Sequence, residues 1–414
     1  MKETKFKDTE IGRIPEEWET LYIHQITEIS TGATPSTNIN EYWENGTIRW
    51  MSSGELNNKI IYDVNGRITQ KGYDNTGTHM LPKNCVLIGL AGQGKTRGTA
   101  AYNKVELCTN QSIAAILPNS KYESKYLYFY IDSLYDKLRL LSAGDGGRGG
   151  LNKQILQNLE IAMPPLNEQH HIASALTSIN NLISSLGKLI EKKKNIKQGA
   201  MQQLLTGQIR LKGFSEPWVK RKLGDNATIQ RGGSPRPIEA YLTTNRDGIN
   251  WIKIGDVRPN DKFIRHTAEK IIPEGISHSR QVYKGDFILS NSMSFGRPYI
   301  LDIDGCIHDG WLVIKDYSNT YDMDFLYYIL SSNAIFEQYI AMAAGSSVKN
   351  LNKEKVANVI LFAPQSLAEQ RAIATILTKM DNEITALEAK RAKYEAIKQG
   401  MMQQLLTGKI RLIS

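Results

Sequence analysis

One segment of this 414-residue sequence satisfies a phosphate-binding pattern in full. Gly89-Leu-Ala-Gly-Gln-Gly-Lys-Thr96 has the spacing G-x-x-x-x-G-K-[ST], in which backbone N–H groups cradle phosphates and the loop leads straight into a helix. The following residues, Arg97-Gly-Thr-Ala-Ala-Tyr-Asn103, contain a glycine and a turn-forming asparagine where that helix should lie. The sequence therefore favours a flexible basic loop that contacts phosphates and base edges, and a nucleotide-hydrolysing P-loop is kept as the alternative.

Other catalytic patterns are missing from the sequence. The strings closest to the Asn-Pro-Pro-aromatic motif of an amino-methyltransferase are Met163-Pro-Pro-Leu166 and Phe362-Ala-Pro-Gln365, and both lack it. His170 and His171 are adjacent, so on a helix they point to different faces. The three cysteines are too few and too scattered for a disulfide framework or a zinc site. We expect no catalytic residue and no bound metal or cofactor in this chain.

The charge balance indicates a polyanionic partner. Lys and Arg total 51 against 42 Asp and Glu, which gives a net charge of +9. Excess basic charge favours binding to nucleic acid, although it also serves solubility alone. The sequence has no apolar run of the roughly 18–20 residues needed to cross a bilayer, and its first ten residues are charged. We expect a cytoplasmic protein that does not bind a membrane.

A long repeat organises the whole chain. Residues 196–211, IKQGAMQQLLTGQIRL, return as residues 397–412, IKQGMMQQLLTGKIRL, with only two differences. The match extends outward, because Leu151-Asn-Lys153 corresponds to Leu351-Asn-Lys353 and Glu168-Gln169 corresponds to Glu369-Gln370. Trp18 likewise corresponds to Trp218. The chain is therefore a tandem duplication.

Two long helices are predicted at about residues 166–206 and 367–407. Apolar residues recur every seven positions in both, which is typical of a coiled-coil seam. The seam comprises Ile172, Leu176, Ile179, Ile183, Leu186, Ile190, Ala200 and Leu204 in the first helix, and Ile373, Leu377, Met380, Ile384, Leu387, Tyr394, Met401 and Leu405 in the second. Gly207 and Gly408 are the expected C-caps, each followed by a strand-like Ile-Arg-Leu. Ser366-Leu-Ala-Glu369 matches a capping box.

The remaining segments predict two similar mixed domains. Strand-like runs at residues 48–51, 85–89 and 113–117 lie between Gly, Asn and Pro residues, and one helix is expected at about residues 125–141. We expect an α+β protein with recognition-type domains at 1–150 and 213–350, and with spacer helices within 151–212 and 351–414. The helices should form an antiparallel coiled coil in a pseudo-twofold repeat. Residues near the N-terminus should pack against the end of the second helix.

The sequence resembles the specificity subunit of type I restriction-modification systems. The resemblance rests on Leu151-Asn-Lys153, Glu168-Gln-His-His-Ile-Ala173 and Leu204-Leu-Thr-Gly-Gln-Ile-Arg-Leu211, on their equivalents in the second half, and on Trp18 and Trp218, and it covers essentially the whole chain. It implies two target-recognition domains that read the halves of a split double-stranded DNA site, with the coiled coil fixing the gap. It also implies two modification subunits, which bring S-adenosylmethionine, and restriction-translocase subunits, which bring ATP and Mg.

Candidate contact residues follow from their chemistry and are not transferred from the family. For DNA the candidates are Thr34, Ser36, Gln93, Lys95, Arg97, Asn110 and Gln111 in the first domain, and Arg231, Ser234, Arg236, Lys253, Asn291, Ser292, Arg297 and His308 in the second. Mid-helix Gly199 and Gly400 cost about 1 kcal/mol each against alanine, which suggests close approach of another subunit. The candidates for that contact are Gly199, Gln202, Gln203, Gly400, Gln403 and Gln404. A two-armed protein adaptor that never touches DNA is a further alternative.

Overall fold

Short apolar runs of the sequence form the centres of two folded units. The computed structural model describes residues 4–92, 94–142, 150–258, 261–291, 296–343 and 351–413. Unit 1 comprises residues 1–187 and 389–414, and unit 2 comprises residues 188–388. Each long helix therefore contributes one part to each unit.

Unit 1 is built on a five-stranded mixed sheet in the order β4-β11-β8-β9-β6. A three-stranded sheet β10-β5-β7, the hairpin β1-β2 and the pair β3-β12 complete its strands. Their bounds are β1 Phe6–Thr9, β2 Gly12–Pro15, β3 Glu19–Tyr22, β4 Ile29–Thr31, β5 Ile48–Met51, β6 Ile60–Ile61, β7 Gly66–Ile68, β8 Val86–Gly89, β9 Ala100–Asn103, β10 Cys108–Thr109, β11 Ile113–Ile116 and β12 Glu160–Met163.

The central strands of this sheet are buried on both faces. Every residue of β8, β9 and β11 is buried. The uninterrupted apolar runs predict this for β8 and β11, whereas β9 lies where the sequence suggested a turn at Asn103. Alternate side chains enter different cores. Val86 and Ile88 face the main core of the unit, whereas Leu87 joins a second core with Met51 and Leu56. The three strands that the sequence predicted at residues 48–51, 85–89 and 113–117 are confirmed to within one residue.

Helices cover the main core of unit 1. They are α1 Ile23–Ile26, α2 Gln70–Asp74, α3 Ser124–Ser133, α4 Tyr135–Leu141, α5 Lys153–Gln157 and the long helix α6 Leu166–Leu204. The single helix expected at residues 125–141 is two helices, because Leu134 (φ −90°, ψ 11°) departs from helical geometry. The break redirects α4, whose Tyr135 and Arg139 contact the loop after β8.

Unit 2 repeats the main five-stranded sheet and the terminal strand pair of unit 1 and has a larger second sheet. Its first sheet has the order β14-β23-β20-β21-β17, the second has the order β15-β18-β16-β22-β19, and β13 pairs with β24. The bounds are β13 Val219–Lys222, β14 Thr228–Arg231, β15 Leu242–Thr243, β16 Ile249–Ile252, β17 Phe263–Ile264, β18 Glu269–Ile271, β19 Arg280–Val282, β20 Phe287–Ser290, β21 Pro298–Leu301, β22 Gly305–Ile307, β23 Trp311–Lys315 and β24 Ile360–Ala363. Strands β15 and β19 extend the second sheet beyond the three strands of its counterpart.

The four described helices of unit 2 correspond to α3, α4, α5 and α6. They are α7 Met323–Leu330, α8 Asn333–Ala343, α9 Lys353–Ala357 and the long helix α10 Leu367–Leu405. Short 3₁₀ turns accompany them in both units, at Asn40–Tyr42, Ser53–Asn58, Leu223–Asp225, Ile238–Ala240, Ile254–Asp256 and Pro273–His278. The α+β class and the duplication are confirmed.

The long helices pair antiparallel within each unit. In unit 1, Lys398 donates to Asn180 at 3.0 Å, so the late part of α10 lies beside the early part of α6. In unit 2, Lys197 of α6 donates to Asp381 of α10 at 2.5 Å. Most of the predicted seam is buried; Ile183, Ala200, Met380, Leu387, Tyr394 and Met401 are partly exposed. Gly207 and Gly408, with φ of +70° and +68°, follow the helices as predicted.

A buried ion pair fastens the ends of the helices in unit 1. Glu168, at the start of α6, accepts two hydrogen bonds from Arg411 at 2.7 and 2.8 Å and one from the Trp18 indole at 3.0 Å. The side chains of Glu168 and Arg411 are 1% and 7% exposed. We call these three residues the Glu168 clasp. Arg411 also donates to Glu17 at 2.9 Å, and Ile14 and Trp18 share a core with Met402, Leu405 and Leu406, which confirms that residues near the N-terminus pack against the end of the second helix.

Unit 2 contains the same arrangement, the Glu369 clasp. Glu369 at the start of α10 accepts from Arg210 at 2.7 and 2.9 Å and from the Trp218 indole at 3.1 Å. The Glu369 carboxylate thus binds a distant arginine and indole, instead of serving the capping box that its spacing from Ser366 suggested. The strand-like reading of Ile-Arg-Leu is wrong in both copies, since residues 209–211 and 410–412 pair with no strand and present their arginine to the clasp.

Candidate nucleic-acid interface

The glycine-rich segment after β8 lies in a loop between antiparallel strands. Leu87 of β8 pairs with Ala101 of β9, so the chain returns as a strand where a P-loop would start a helix. Among the described residues of the segment, the strand–loop–helix geometry that presents N–H groups to a phosphate is absent. The nucleotide-hydrolysing alternative is therefore not supported.

Contacts with α4 hold this loop in place. The Tyr135 hydroxyl donates to the Lys95 carbonyl at 3.2 Å, and Arg139 donates to the Gly94 carbonyl. Arg97 donates to Ser142 at 3.4 Å and is partly exposed, whereas Lys95 is exposed. Gln93 lies outside the described residues. The loop thus presents at least one lysine to solvent from a backbone that α4 supports.

A second group of candidates in unit 1 meets where two loops touch. The Thr34 hydroxyl donates to Gln111 Oε1 at 2.5 Å, which joins the loop after β4 to the turn after β10. Two indoles fix the first loop: Trp50 donates to the Ala33 carbonyl and Trp43 to the Ser36 carbonyl, both at 3.0 Å. Thr34, Ser36 and Gln111 are all exposed.

The loops in unit 1 touch through backbone. A side chain at Gly32 would overlap the Thr109 carbonyl, so only glycine allows this approach. Asn110 shapes the turn from within, because its side-chain oxygen accepts the Ser112 N–H at 3.1 Å. Asn110 is a candidate for DNA contact by its chemistry, and the structure gives its oxygen a local role as well.

The corresponding loops of unit 2 converge on Asp309. Its carboxylate accepts from the Ser234 hydroxyl at 3.1 Å and lies 3.6 Å from Arg236, and its backbone carbonyl accepts from Arg231 at 3.2 Å. The Asn291 amide donates to the same carbonyl at 2.9 Å. Four of the candidates of unit 2 therefore surround a residue that sequence analysis did not select. The signal was present, because Cys108 and Cys306 align and place Asp309 opposite Gln111.

These four residues differ in exposure. The Arg236 side chain is 82% exposed, and Arg231 is also exposed. Asn291 is 2% exposed, so its amide holds the Asp309 turn from inside the unit. A side chain at Gly232 would overlap the His308 carbonyl, as at Gly32 in unit 1.

The remaining candidates of unit 2 lie around this centre. His308 Nδ1 accepts the Gly310 N–H at 2.7 Å, and burial lowers the pKa of His308, so the neutral ring fits the turn. Lys253 forms an ion pair with Glu269 at 2.5 Å, so the carboxylate offsets much of the positive charge of the lysine. Arg297 is exposed at the start of β21, and Ser292 lies outside the described residues.

The described residues form neither a metal-ligating cluster nor a membrane-spanning helix. They include no group of three or more His, Cys, Asp or Glu side chains that could hold a metal, and no helix among them is long and apolar enough to cross a membrane. Cys85, Cys108 and Cys306 are buried free thiols, and burial raises the pKa of Cys85 to about 12. A thiol with such a pKa stays protonated near neutral pH and is a poor nucleophile.

Known proteins share this fold and sequence pattern. The family model described as "Type I restriction modification DNA specificity domain" matches residues 15–198 and 215–399. The putative MjaX and the MjaVIII type I restriction enzyme specificity subunits of Methanocaldococcus jannaschii are each 27% identical to this chain. The alignments cover 99% of it in both cases, and 98% and 97% of the relatives.

A solved structure agrees at the level of the fold. The S subunit of a type I restriction-modification system from M. genitalium has a TM-score of 0.59 at 16% identity, over 94% of this chain and 96% of that one. The family model matches each half of the chain once and spans most of its length. This chain therefore belongs to the type I restriction-modification DNA specificity family and carries two copies of the specificity domain.

Proposed function

We propose that this chain is the DNA-recognition subunit of a type I restriction-modification complex, in which each unit reads one half of a bipartite site. The observation that carries the proposal is a shared frame with different side chains. The first sheet has an equivalent strand order in both units, and each unit has two touching loops, residues 32–36 and 110–112 in unit 1 and residues 232–236 and 308–310 in unit 2. At these loops unit 1 exposes hydroxyl and amide groups, and unit 2 exposes guanidinium and carboxylate groups. Different hydrogen-bonding groups on one scaffold suit the reading of different base pairs.

The candidate residues divide into two roles under this proposal. The groups that contact DNA are Ser36, Gln93, Lys95, Arg97, Gln111, Arg231, Arg236, Lys253, Ser292 and Arg297. The groups that position the loops are Thr34, Asn110, Ser234, Asn291 and His308. Exposed cations would serve the phosphate backbone, and the amide and guanidinium groups of the touching loops would serve base edges.

The long helices would set the gap between half-sites. Each has 39 residues, which extends about 58 Å at 1.5 Å per residue. One turn of B-DNA is about 34–36 Å, so such a spacer suits half-sites between one and two turns apart. The chain itself would have no catalytic role. Two modification subunits would bring S-adenosylmethionine, and restriction-translocase subunits would bring ATP and Mg.

The repeated stretch of each helix is the proposed docking surface for a modification subunit. No protein atom lies within 4 Å of where a side chain at Gly199 or Gly400 would be, so neither glycine is required by packing inside the described chain. Beside them Ile196 and Ile397 are 47% and 40% exposed. Gln202, Gln203 and Gln403 are exposed and Gln404 is partly exposed. Two equivalent surfaces support two copies of one partner.

Replacing Gly199 and Gly400 by leucine should weaken assembly without unfolding the chain. Leucine raises helix propensity by up to about 1 kcal/mol per site, so the melting temperature should hold or rise. We expect the affinity for purified modification subunits, measured by calorimetry, to fall at least about tenfold, because the added side chains block close approach. Lys192→Leu, on an exposed face outside the repeat, is the control. Unchanged affinity in the double variant would remove the docking proposal.

Methylation mapping with the assembled complex tests the main proposal. We expect methylated sites to share a bipartite sequence with a fixed gap. Exchanging residues 213–350 for the same segment of another family member should change one half of the site only. A continuous site, or changes in both halves, would contradict two independent readers. Absence of salt-dependent duplex binding by the complex would instead favour the adaptor alternative, because phosphate contacts release counterions.

A further inference from the structure

Each unit has a hydrogen bond between its touching loops at an equivalent place, and the acceptor differs between the two units. In unit 1 the hydroxyl of Thr34 donates to the amide oxygen of Gln111, and in unit 2 the hydroxyl of Ser234 donates to the carboxylate of Asp309. Thr34 and Ser234 are equivalent because each lies two residues after the glycine that follows β4 or β14 and directly before a proline. Gln111 and Asp309 are equivalent because each lies three residues after a cysteine in the strand that runs parallel to β5 or β16. The position of Gln111 and Asp309 is therefore the same element of the scaffold with different chemistry.

The hydrogen bond from the Thr34 hydroxyl fixes the orientation of the Gln111 amide, with its oxygen toward Thr34. This hydrogen bond uses one lone pair of Oε1 and leaves the second available. Among the described residues, the Gln111 amide nitrogen donates to no protein atom, and the side chain is exposed. An acceptor and a donor side by side match adenine, which offers its N6 amino group and N7 in the major groove.

In unit 2 the carboxylate at the position equivalent to Gln111 forms an ion pair with a guanidinium. Asp309 lies 3.6 Å from Arg236, whose side chain is 82% exposed, and Ser234 holds the other carboxylate oxygen. The contact with Asp309 involves one terminal nitrogen of Arg236, and the high exposure of the side chain keeps the guanidinium accessible to a ligand. Paired N–H donors of arginine match the O6 and N7 acceptors of guanine.

We propose that Gln111 reads an A·T pair in one half-site and that Arg236 reads a G·C pair in the other, with Thr34 and Asp309 as their positioning residues. This inference rests on the proposed function. Unit 1 has Ser36 where unit 2 has Arg236, so it lacks the guanidinium at that position. On the same backbone scaffold, the pair Thr34 and Gln111 therefore selects adenine, and the pair Arg236 and Asp309 selects guanine.

Methylation mapping over a randomised target library, with the full chain and its modification partners, tests this assignment. In Gln111→Ala we expect the preference for one A·T pair to fall about tenfold while the other half-site stays unchanged. Arg236→Ala should relax one G·C pair in the opposite half to a similar extent. Thr34→Val and Asp309→Asn should relax the same two positions less strongly. Gln154→Ala and Arg246→Ala, both at exposed positions outside the touching loops, should change no position.

The outcomes separate this inference from the function on which it rests. If the wild-type complex yields no bipartite site, the proposed function fails. If it yields one and the variants leave it unchanged, or relax bases other than those named, only this inference fails. A uniform loss at all sites in Arg236→Ala, with a smaller salt dependence of binding, would identify a phosphate contact and overturn the guanine assignment. For a variant that no longer methylates, competition binding with duplexes substituted at each position gives the same readout.

Discussion

Unit 1 is expected to lose about 3–5 kcal/mol of unfolding free energy when Arg411 is replaced by alanine. The substitution leaves the Glu168 carboxylate, which is 1% exposed, with the Trp18 indole as its remaining donor. A buried charge without its counter-ion is costly because neither water nor protein solvates it. The effect should exceed that of Arg210→Ala, because the Arg210 side chain is 29% exposed and water can partly replace it.

Hydrogen exchange measures this difference unit by unit. We expect amides of β3, β12 and the early part of α6 to lose protection in Arg411→Ala, while amides of unit 2 keep theirs. Arg210→Ala should produce the reciprocal pattern at smaller magnitude. Arg13→Ala, at an exposed arginine over the Phe6 ring, is the control and should stay within about 0.5 kcal/mol of wild type.

The partner side of the clasp provides a second check. Glu168→Gln keeps the shape of the side chain and removes its charge, so Arg411 would lose its charged acceptor. If the double variant Glu168→Gln with Arg411→Ala were as unstable as the sum of the single variants, the two residues would not be coupled, and the clasp would not be a stabilising unit.

Gly232→Ala should abolish recognition of one half-site. The added methyl group would overlap the carbonyl of His308, and the loop that carries Ser234 and Arg236 would have to move away from Asp309. Overpacking of this kind costs about 1–3 kcal/mol and displaces backbone, which a base contact does not tolerate. We expect methylation of the wild-type site to fall at least about tenfold. Gly32→Ala should act in the same way on the other half, against the Thr109 carbonyl.

Matched glycines control for the loss of a glycine itself. Gly255→Ala in unit 2 and Gly54→Ala in unit 1 place their methyl groups where no atom lies within 4 Å. Both should keep wild-type methylation and wild-type sequence preference. Normal recognition in Gly232→Ala would mean that the touching loops are not part of the DNA-reading surface.

Local patterns in the sequence determined much of this fold. Seven-residue spacing identified both long helices to within about two residues at their ends, because the periodicity of a helix face is visible along the chain. Uninterrupted apolar runs located β8 and β11, because a strand that is buried on both faces is apolar at successive positions. The repeat established the duplication and, with the terminal motifs, the family. The sequence also predicted part of the touching loops, since the chemistry of their side chains made four of their residues candidates for DNA contact: Thr34, Gln111, Ser234 and Arg236.

Tertiary structure alone decided which of these residues meet. Glu168 binds an arginine 243 positions away and an indole 150 positions away, and no local periodicity encodes such a pairing. The spacing of Glu369 from Ser366 suggested a capping box, and a distant arginine and indole took that carboxylate instead. Asp309 became the centre of its loop because it lies just before β23, and the sheet order places β23 between β14 and β20, whose ends carry Arg231 and Asn291. Periodicity specifies an element and its buried face, whereas the contacts between loops depend on sheet order and backbone approach, which residue spacing does not carry.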